Sequence, residues 1–271
     1  MPDPTALFEP VEGGGWHPTA NAVGPWSSDA LHGGPTAALL ARESERAGDS
    51  DAPEVSWHPA RLTVELLRPV PVAPLRTTAR VVRAGRKIQL VDADVATADG
   101  TVVATSRLLR IRSAAVEAPD TTEGLEAPTF PPQPAATDSQ TPSSAVWDGF
   151  HNKGVEHRFS AGQFGASGPA TDWIRLAVPV VDGETPSPLS RVAAAADFGN
   201  GISSVTDWAT TVFINADLTI HLRRLPAGEW VCLEAVTWMG DAGVAMAESR
   251  LWDESGLLGR SLQSLLVDRR S

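Results

Sequence analysis

The chain holds a single cysteine, Cys232, in 271 residues. A lone cysteine excludes an internal disulfide and any zinc site built on thiolates. Its setting, Trp230-Val231-Cys232-Leu233, reads as a strand, which makes it a packing residue rather than a nucleophile. Positive charge is also scarce: 22 Lys and Arg stand against 33 Asp and Glu, for a net charge of −11. The basic residues are scattered, whereas phosphate-backbone binding needs them clustered, so no nucleic-acid partner is expected. A local basic pocket for a polyanionic ligand stays open. No apolar run approaches the length of a membrane span. The opening Met1-Pro2-Asp3-Pro4 lacks the basic and apolar regions of a signal peptide, so the expectation is a cytoplasmic protein. Neither a Gly-x-Ser-x-Gly elbow nor a Gly-x-x-x-x-Gly-Lys loop is present. His151 and His157 lack a convincing third ligand and read as loop residues; no metal and no cofactor is expected.

What the chain does have is an internal repeat. Shifted by 156 positions, Leu62-Thr63-Val64-Glu65-Leu66-Leu67-Arg68 falls on Leu218-Thr219-Ile220-His221-Leu222-Arg223-Arg224. The ungapped register carries Gly100 onto Gly256, Leu109 onto Leu265 and Ile111 onto Val267. Only seven of the 52 positions from 62 to 113 are identical, so the signal is the shared rhythm of apolar alternation and turns. Two copies in one chain suggest a fused dimer with a ligand site at the seam.

Each copy has the same order of elements. In the first, Pro35 suits an opening helical turn, an alanine- and leucine-rich body follows, and Gly48 ends the helix. Residues 61–68, 75–83, 87–97 and 102–112 read as strands, with Asp99-Gly100 as a hairpin signal. In the second, Ser187-Pro188-Leu189-Ser190 opens a helix, and Gly199-Asn200-Gly201 reads as its breaker. Residues 212–224, 230–238, 243–252 and 257–268 form the matching strands. The fold class is therefore α+β: two tandem units, each a long antiparallel sheet packed on one helix. They span residues 1–113 and 146–271, joined by a Pro-rich, acidic linker over 114–145 that reads as crossing the surface.

The copies differ in their polar residues. Asp197 follows four alanines on a helix that should be buried, where a carboxylate must be paired, hydrogen-bonded or catalytic. A position facing water near the helix end is the bland alternative. Asn215 stands at a strand entrance and Gln263 in the last strand; singly they read as a turn residue and an outward strand residue. The register gives Ala41, Pro59 and Arg107 as their counterparts. In the first copy, His32-Gly33-Gly34-Pro35 opens the helix. Glycines there let a ligand approach free N–H groups that stabilise negative charge, the physics of an oxyanion hole; a tight turn is the alternative.

A helix opened by His-Gly-Gly and followed by a long antiparallel sheet resembles the hotdog fold. Two such units resemble the double-hotdog acyl-CoA thioesterases of the TesB (thioesterase II) type. The resemblance covers nearly the whole chain outside the linker. It is carried most by Ala196-Asp197-Phe198, Asn215-Ala216-Asp217-Leu218-Thr219 and Ser261-Leu262-Gln263-Ser264. It implies an acyl-CoA substrate and a catalytic set of Asp197, Asn215 and Gln263, with Asn215 standing where the best-known members have Thr. His32, Gly33 and Gly34 would form the oxyanion side. Asp197 would act as general base on a water held by the two amides, or as a nucleophile. Phosphate contacts for coenzyme A are sought in Arg86-Lys87 and Arg223-Arg224. Two other readings stay open: an acyl-CoA or lipid binder without turnover, and a hotdog hydratase using Asp29 and His32. Exposed sheet edges leave a homo-oligomer possible.

Overall fold

The computed structural model describes residues 5–48, 55–117, 119, 121–131 and 148–270. Half of the 114–145 linker, together with Val146, lies outside these residues. The described strands form one continuous 13-stranded sheet. The first copy contributes α1 (Gly33–Arg46), then β3 (Trp57–Leu66), β4 (Leu75–Ala84), β5 (Ile88–Thr97) and β6 (Val102–Arg112), preceded by the short strands β1 (Phe8–Pro10) and β2 (Trp16–Pro18). The second contributes β7 (Val155–Ala161), β8 (Ala170–Leu176) and the helices α2 (Pro188–Ala196) and α3 (Gly199–Ile202). Its long run is β9 (Thr211–Asn215), β10 (Asp217–Leu222), β11 (Val231–Met239), β12 (Val244–Asp253) and β13 (Gly256–Arg269).

Sheet order is β1-β2-β4-β5-β6-β3-β10-β13-β12-β11-β8-β7, with β9 also on β13. The order reads the same from both ends, with β2-β4 mirrored by β8-β11. The halves join where β3 and β10 pair antiparallel, Leu62 opposite Ile220 and Thr63 opposite Thr219. Thr63 and Thr219 are 156 residues apart, and their hydroxyls lie 3.5 Å from each other. A residue facing its own repeat mate marks a two-fold axis, so the repeat is built as a dimer interface within one chain.

The sheet curls around α1 and α2, whose apolar residues are buried in one core shared by both halves. The helices run antiparallel. Ser190 Oγ donates to Ala38 O (3.2 Å), and at the mirror position Gly34 approaches Ala194 O so closely that a Cβ would lie 2.7 Å away. Arg110, buried on β6, donates to the carbonyls of Ser44 and Ala47 and so satisfies the end of α1.

Three expectations are corrected. First, the 156 register breaks in the last hairpin. Thr63 pairs with Arg107, whereas Thr219 pairs with Leu262. Thr97 closes on Thr101, but Asp253 closes on Gly256, so the second loop is one residue shorter. One residue flips every side chain to the other face of a strand. The structural counterpart of Gln263 is therefore the buried Leu108, and Arg107 points outward to Asp92. Second, Gly199-Asn200-Gly201 does not break the helix: it forms α3 after a kink at Asp197 and Phe198. Third, His151 and His157 are not loop residues. His151 is buried on a π-helical turn over Phe150–Gly154, and His157 lies on β7, its Nδ1 2.5 Å from the buried Asp172. Burial pushes the Asp172 carboxyl up, against the pull of His157. Cys232 is buried as expected, and burial raises its thiol well above the usual range. From the linker, Phe130 packs edge-on against Trp173 and Trp230.

Candidate active site

The kink in the second helix creates the site. Asp197 is the C-cap of α2 and Phe198 the N-cap of α3, so the ladder of helical hydrogen bonds is interrupted between them. A break in a buried helix strands carbonyls and amides that need partners. Gln263, facing inward from β13, supplies them with one amide. Its Oε1 accepts from Asn200 N–H (3.0 Å), and its Nε2 donates to Asp197 O (3.1 Å) and reaches Asp197 Oδ1 at 3.5 Å. Asn215, at the end of β9, donates from Nδ2 to Asp197 Oδ1 (2.9 Å) and more weakly to Asp217 O (3.4 Å). The carboxylate is 3% exposed.

Because the helices are antiparallel, Asp197 meets the N-terminus of α1. His32 Nδ1 lies 2.7 Å from Asp197 Oδ2. The same nitrogen is 3.2 Å from Gly34 N as the N-cap of α1. One ring nitrogen cannot serve both: protonated it donates to the carboxylate, unprotonated it accepts from Gly34. A Cβ built on Gly33 would fall 2.7 Å from either carboxylate oxygen, so only glycine fits there. Gly33 is also the first helical residue, whose N–H has no acceptor within the helix. Phe150 and Phe198 flank the His32 ring at 5.1 and 4.7 Å between centroids.

All of this opens on a cavity of about 800 Å³ lined from both halves of the chain. Five of the six expected site residues meet around one carboxylate: His32, Gly33, Asp197, Asn215 and Gln263. The sixth, Gly34, contributes its N–H to the His32 ring and its lack of a side chain to close helix packing. The cations expected for coenzyme A are elsewhere. Arg224 is engaged by Asp253, Arg223 donates to Leu257 O, and neither they nor Arg86-Lys87 line the cavity. Arg68 and Arg270 do, both exposed. Asp29 is exposed and outside the lining, which removes the acid of the hydratase alternative.

Sequence reasoning missed an aromatic wall. Trp26 and Trp208 stack at 5.2 Å, Phe213 stands edge-on to both, and Arg270 lies 5.8 Å over Trp26. These residues come from three separate segments, and single tryptophans carry no signal of meeting. His151 was missed as well: it lines the cavity with neither ring nitrogen hydrogen-bonded. Among the described residues no helix is long and apolar enough to cross a membrane, and no group of three or more His, Cys, Asp or Glu could hold a metal.

No curated protein matches the sequence. Solved structures do. A Thermobifida fusca protein assigned provisionally as a thioesterase II is 19% identical, with 99% of each chain covered and a TM-score of 0.69. A hot dog fold protein of unknown function from Alicyclobacillus acidocaldarius is 20% identical, covering 99% of this chain and 97% of that one (TM-score 0.67). Acyl-CoA thioesterase II TesB2 from Mycobacterium marinum is 15% identical over 97% and 95% (TM-score 0.63). At these identities the likeness speaks for the fold. The family profiles go further: the acyl-CoA thioesterase N-terminal domain matches residues 22–111 and the C-terminal domain residues 124–267. The chain is a double hotdog and belongs to the acyl-CoA thioesterase family of hydrolases.

Proposed function

We propose that the cavity binds an acyl-CoA and that Asp197 drives attack of water on the thioester. The observation that carries this reading is a buried carboxylate held by three side chains against the N-terminus of α1. Asn215 and Gln263 fix the carboxylate, and Asn215 Oδ1, which takes none of these bonds, orients the water. With its proton on Nδ1, His32 donates to Asp197 Oδ2. Gly33 N–H, at the first helical position on the cavity wall, then faces the thioester oxygen.

Asp197 takes a proton from the water as its oxygen bonds to the thioester carbon. The oxyanion develops against the helix N-terminus, where donors and dipole favour it. The C–S bond then breaks, coenzyme A leaves as thiolate, and the proton held by Asp197 is returned to it. Arg68 and Arg270 at the rim supply positive charge for the nucleotide phosphates.

Thiol release from a panel of acyl-CoA thioesters tests this in wild type and Asp197→Asn. Loss of the base should lower kcat by about 10²–10⁴-fold in a variant that still folds. Equal turnover by the variant would remove Asp197 from the chemistry. Saturable binding without any turnover by wild type would point to a carrier of acyl-CoA instead.

A further inference from the structure

Five large apolar side chains meet on the outer face of the second half's sheet. Trp238 on β11 stands opposite Met246 on β12, Val244 on β12 opposite Leu266 on β13, and Leu266 opposite Ile214 on β9. Directly opposed residues share a face of the sheet, and so do residues two apart, such as Val244 and Met246. Their neighbours along the strands, Ala245, Ala247 and Leu265, are buried, so the five point away from the core. Each of the five is between 39% and 58% exposed. Together they present on the order of 500 Å² of continuous apolar surface, the upper end of what a monomeric soluble protein leaves in one place. The first half is different. It carries Arg80, Asp92 and Arg107 side by side on its outer face, where the equivalent row of the second half is Val236, Glu248 and Leu262. Two arginines are thus replaced by apolar residues next to the five. The counterparts of Trp238 and Leu266 in the first half, Val82 and Ile111, are exposed but have no such company.

We propose that a second copy of the chain docks on this face, sheet against sheet, to give a closed two-fold pair centred on Trp238, Val244, Met246 and Leu266. The area fits. A stable pair buries about 800 Å² on each partner, about 65% of it apolar in homodimers, and the five side chains supply that apolar share. Two apolar sheet faces pack on each other by interdigitating side chains, so an identical copy offers a complementary surface. Each chain has one such surface; pairing with itself uses it up, and the assembly closes at two instead of growing. The next charges on the same face, Glu248 along β12 and Asp268 along β13, are acidic. They suit the solvated rim of a protein contact, whereas an anionic lipid surface would call for Lys and Arg there. Ile214 and Leu266 also line the cavity, so the pairing surface runs up to the mouth of the site. The pairing holds whatever reaction that site performs.

Sedimentation velocity over a concentration series up to about 100 µM, a range that captures micromolar pairing, tests this in wild type, Val244→Lys, Trp238→Ser and Val82→Lys. Wild type should sediment at twice the chain mass of 28.6 kDa. A two-fold contact brings each substitution in twice, so Val244→Lys sets two like charges in one desolvated surface and should raise the dissociation constant by about 100-fold or more. Trp238→Ser removes the largest apolar side chain without adding charge and should weaken the pair by about tenfold or more. Val82→Lys, the same kind of change at the counterpart of Trp238, should leave the mass doubled. Circular dichroism confirms that each variant is folded; should Val244→Lys not fold, Trp238→Ser decides. A wild type that stays at the chain mass throughout overturns the proposal, and binding of that monomer to phosphatidylcholine vesicles would give the face to lipid. A doubled mass that survives both Val244→Lys and Trp238→Ser overturns the surface and puts the contact elsewhere. A mass that keeps growing beyond two chains overturns the closed pair.

Discussion

His151 stores a pH dependence that can be measured without substrate. Its ordinary value of 6.5 falls to about 4 in the folded protein, chiefly because burial disfavours the charged ring; Asp148 opposes the shift weakly. Between these values the unfolded chain holds a proton at His151 that the folded protein does not. Stability therefore rises with pH across the window and is lost as pH falls from about 6.5 toward 4. A shift of this size corresponds to about 3 kcal/mol as an upper figure. Urea unfolding of wild type and His151→Phe at pH 4.5 and 7 checks it. The wild type should lose more stability on acidification than the variant, by up to that amount. Parallel losses in the two proteins would place the acid sensitivity elsewhere.

Asp197 works because a helix is broken and then mended. Glycine at position 199 looks like the residue that ends α2, since glycine costs about 1 kcal/mol in a helix relative to alanine. By that scale alone, Gly199→Ala should stabilise α3. A Cβ there, however, would lie 2.8 Å from Gln263 Oε1 and 3.0 Å from Ser249 Oγ. Gln263 cannot yield freely, because its amide is held at both ends by Asn200 and Asp197. Overpacking of this kind costs about 1–3 kcal/mol and outweighs the propensity gain. We expect Gly199→Ala to lower Tm by several degrees and to lower kcat more than it raises KM, through a displaced Asp197. A variant that is more stable and fully active would show that Gln263 moves aside without consequence. The glycines were visible in the sequence as a breaker. What kept α3 helical was not: Gln263 is more than sixty residues away on β13, and local propensity carries no information about a cap delivered from there.

At the scale of the whole molecule, the repeat was legible because strand lengths and turns recur, and the Thr63–Thr219 pairing follows from it. The helices keep the 156 register, so Ala41 remains the counterpart of Asp197. The last hairpin departs: a loop one residue shorter was invisible in weak identity, yet it turns Gln263 toward the helix where Arg107 turns away. The two ends of the helix pair are consequently unlike. At the end holding Asp197 there is a cavity of about 800 Å³; at the mirror end one of about 270 Å³. There Arg42, the counterpart of Phe198, forms a two-pronged pair with Glu184 (2.6 and 2.7 Å), and Ser187 bonds Glu45. Glu184 holds the Arg42 guanidinium charged despite its partial burial. With Ala41, Pro59 and Leu108 in place of Asp197, Asn215 and Gln263, the mirror end has neither the catalytic acid nor the amides, and the ion pair shares its small cavity with Ser187, the N-cap of α2. One chain should therefore bind one acyl-CoA. Calorimetric titration with a thioether analogue, which cannot be hydrolysed, should give a stoichiometry near one per chain in wild type. Arg42→Ala, which opens the mirror end without supplying a carboxylate, should leave that stoichiometry at one. Two equivalents per wild-type chain would mean that the ion pair yields to ligand and that the fused dimer has kept both of its ancestral sites for binding.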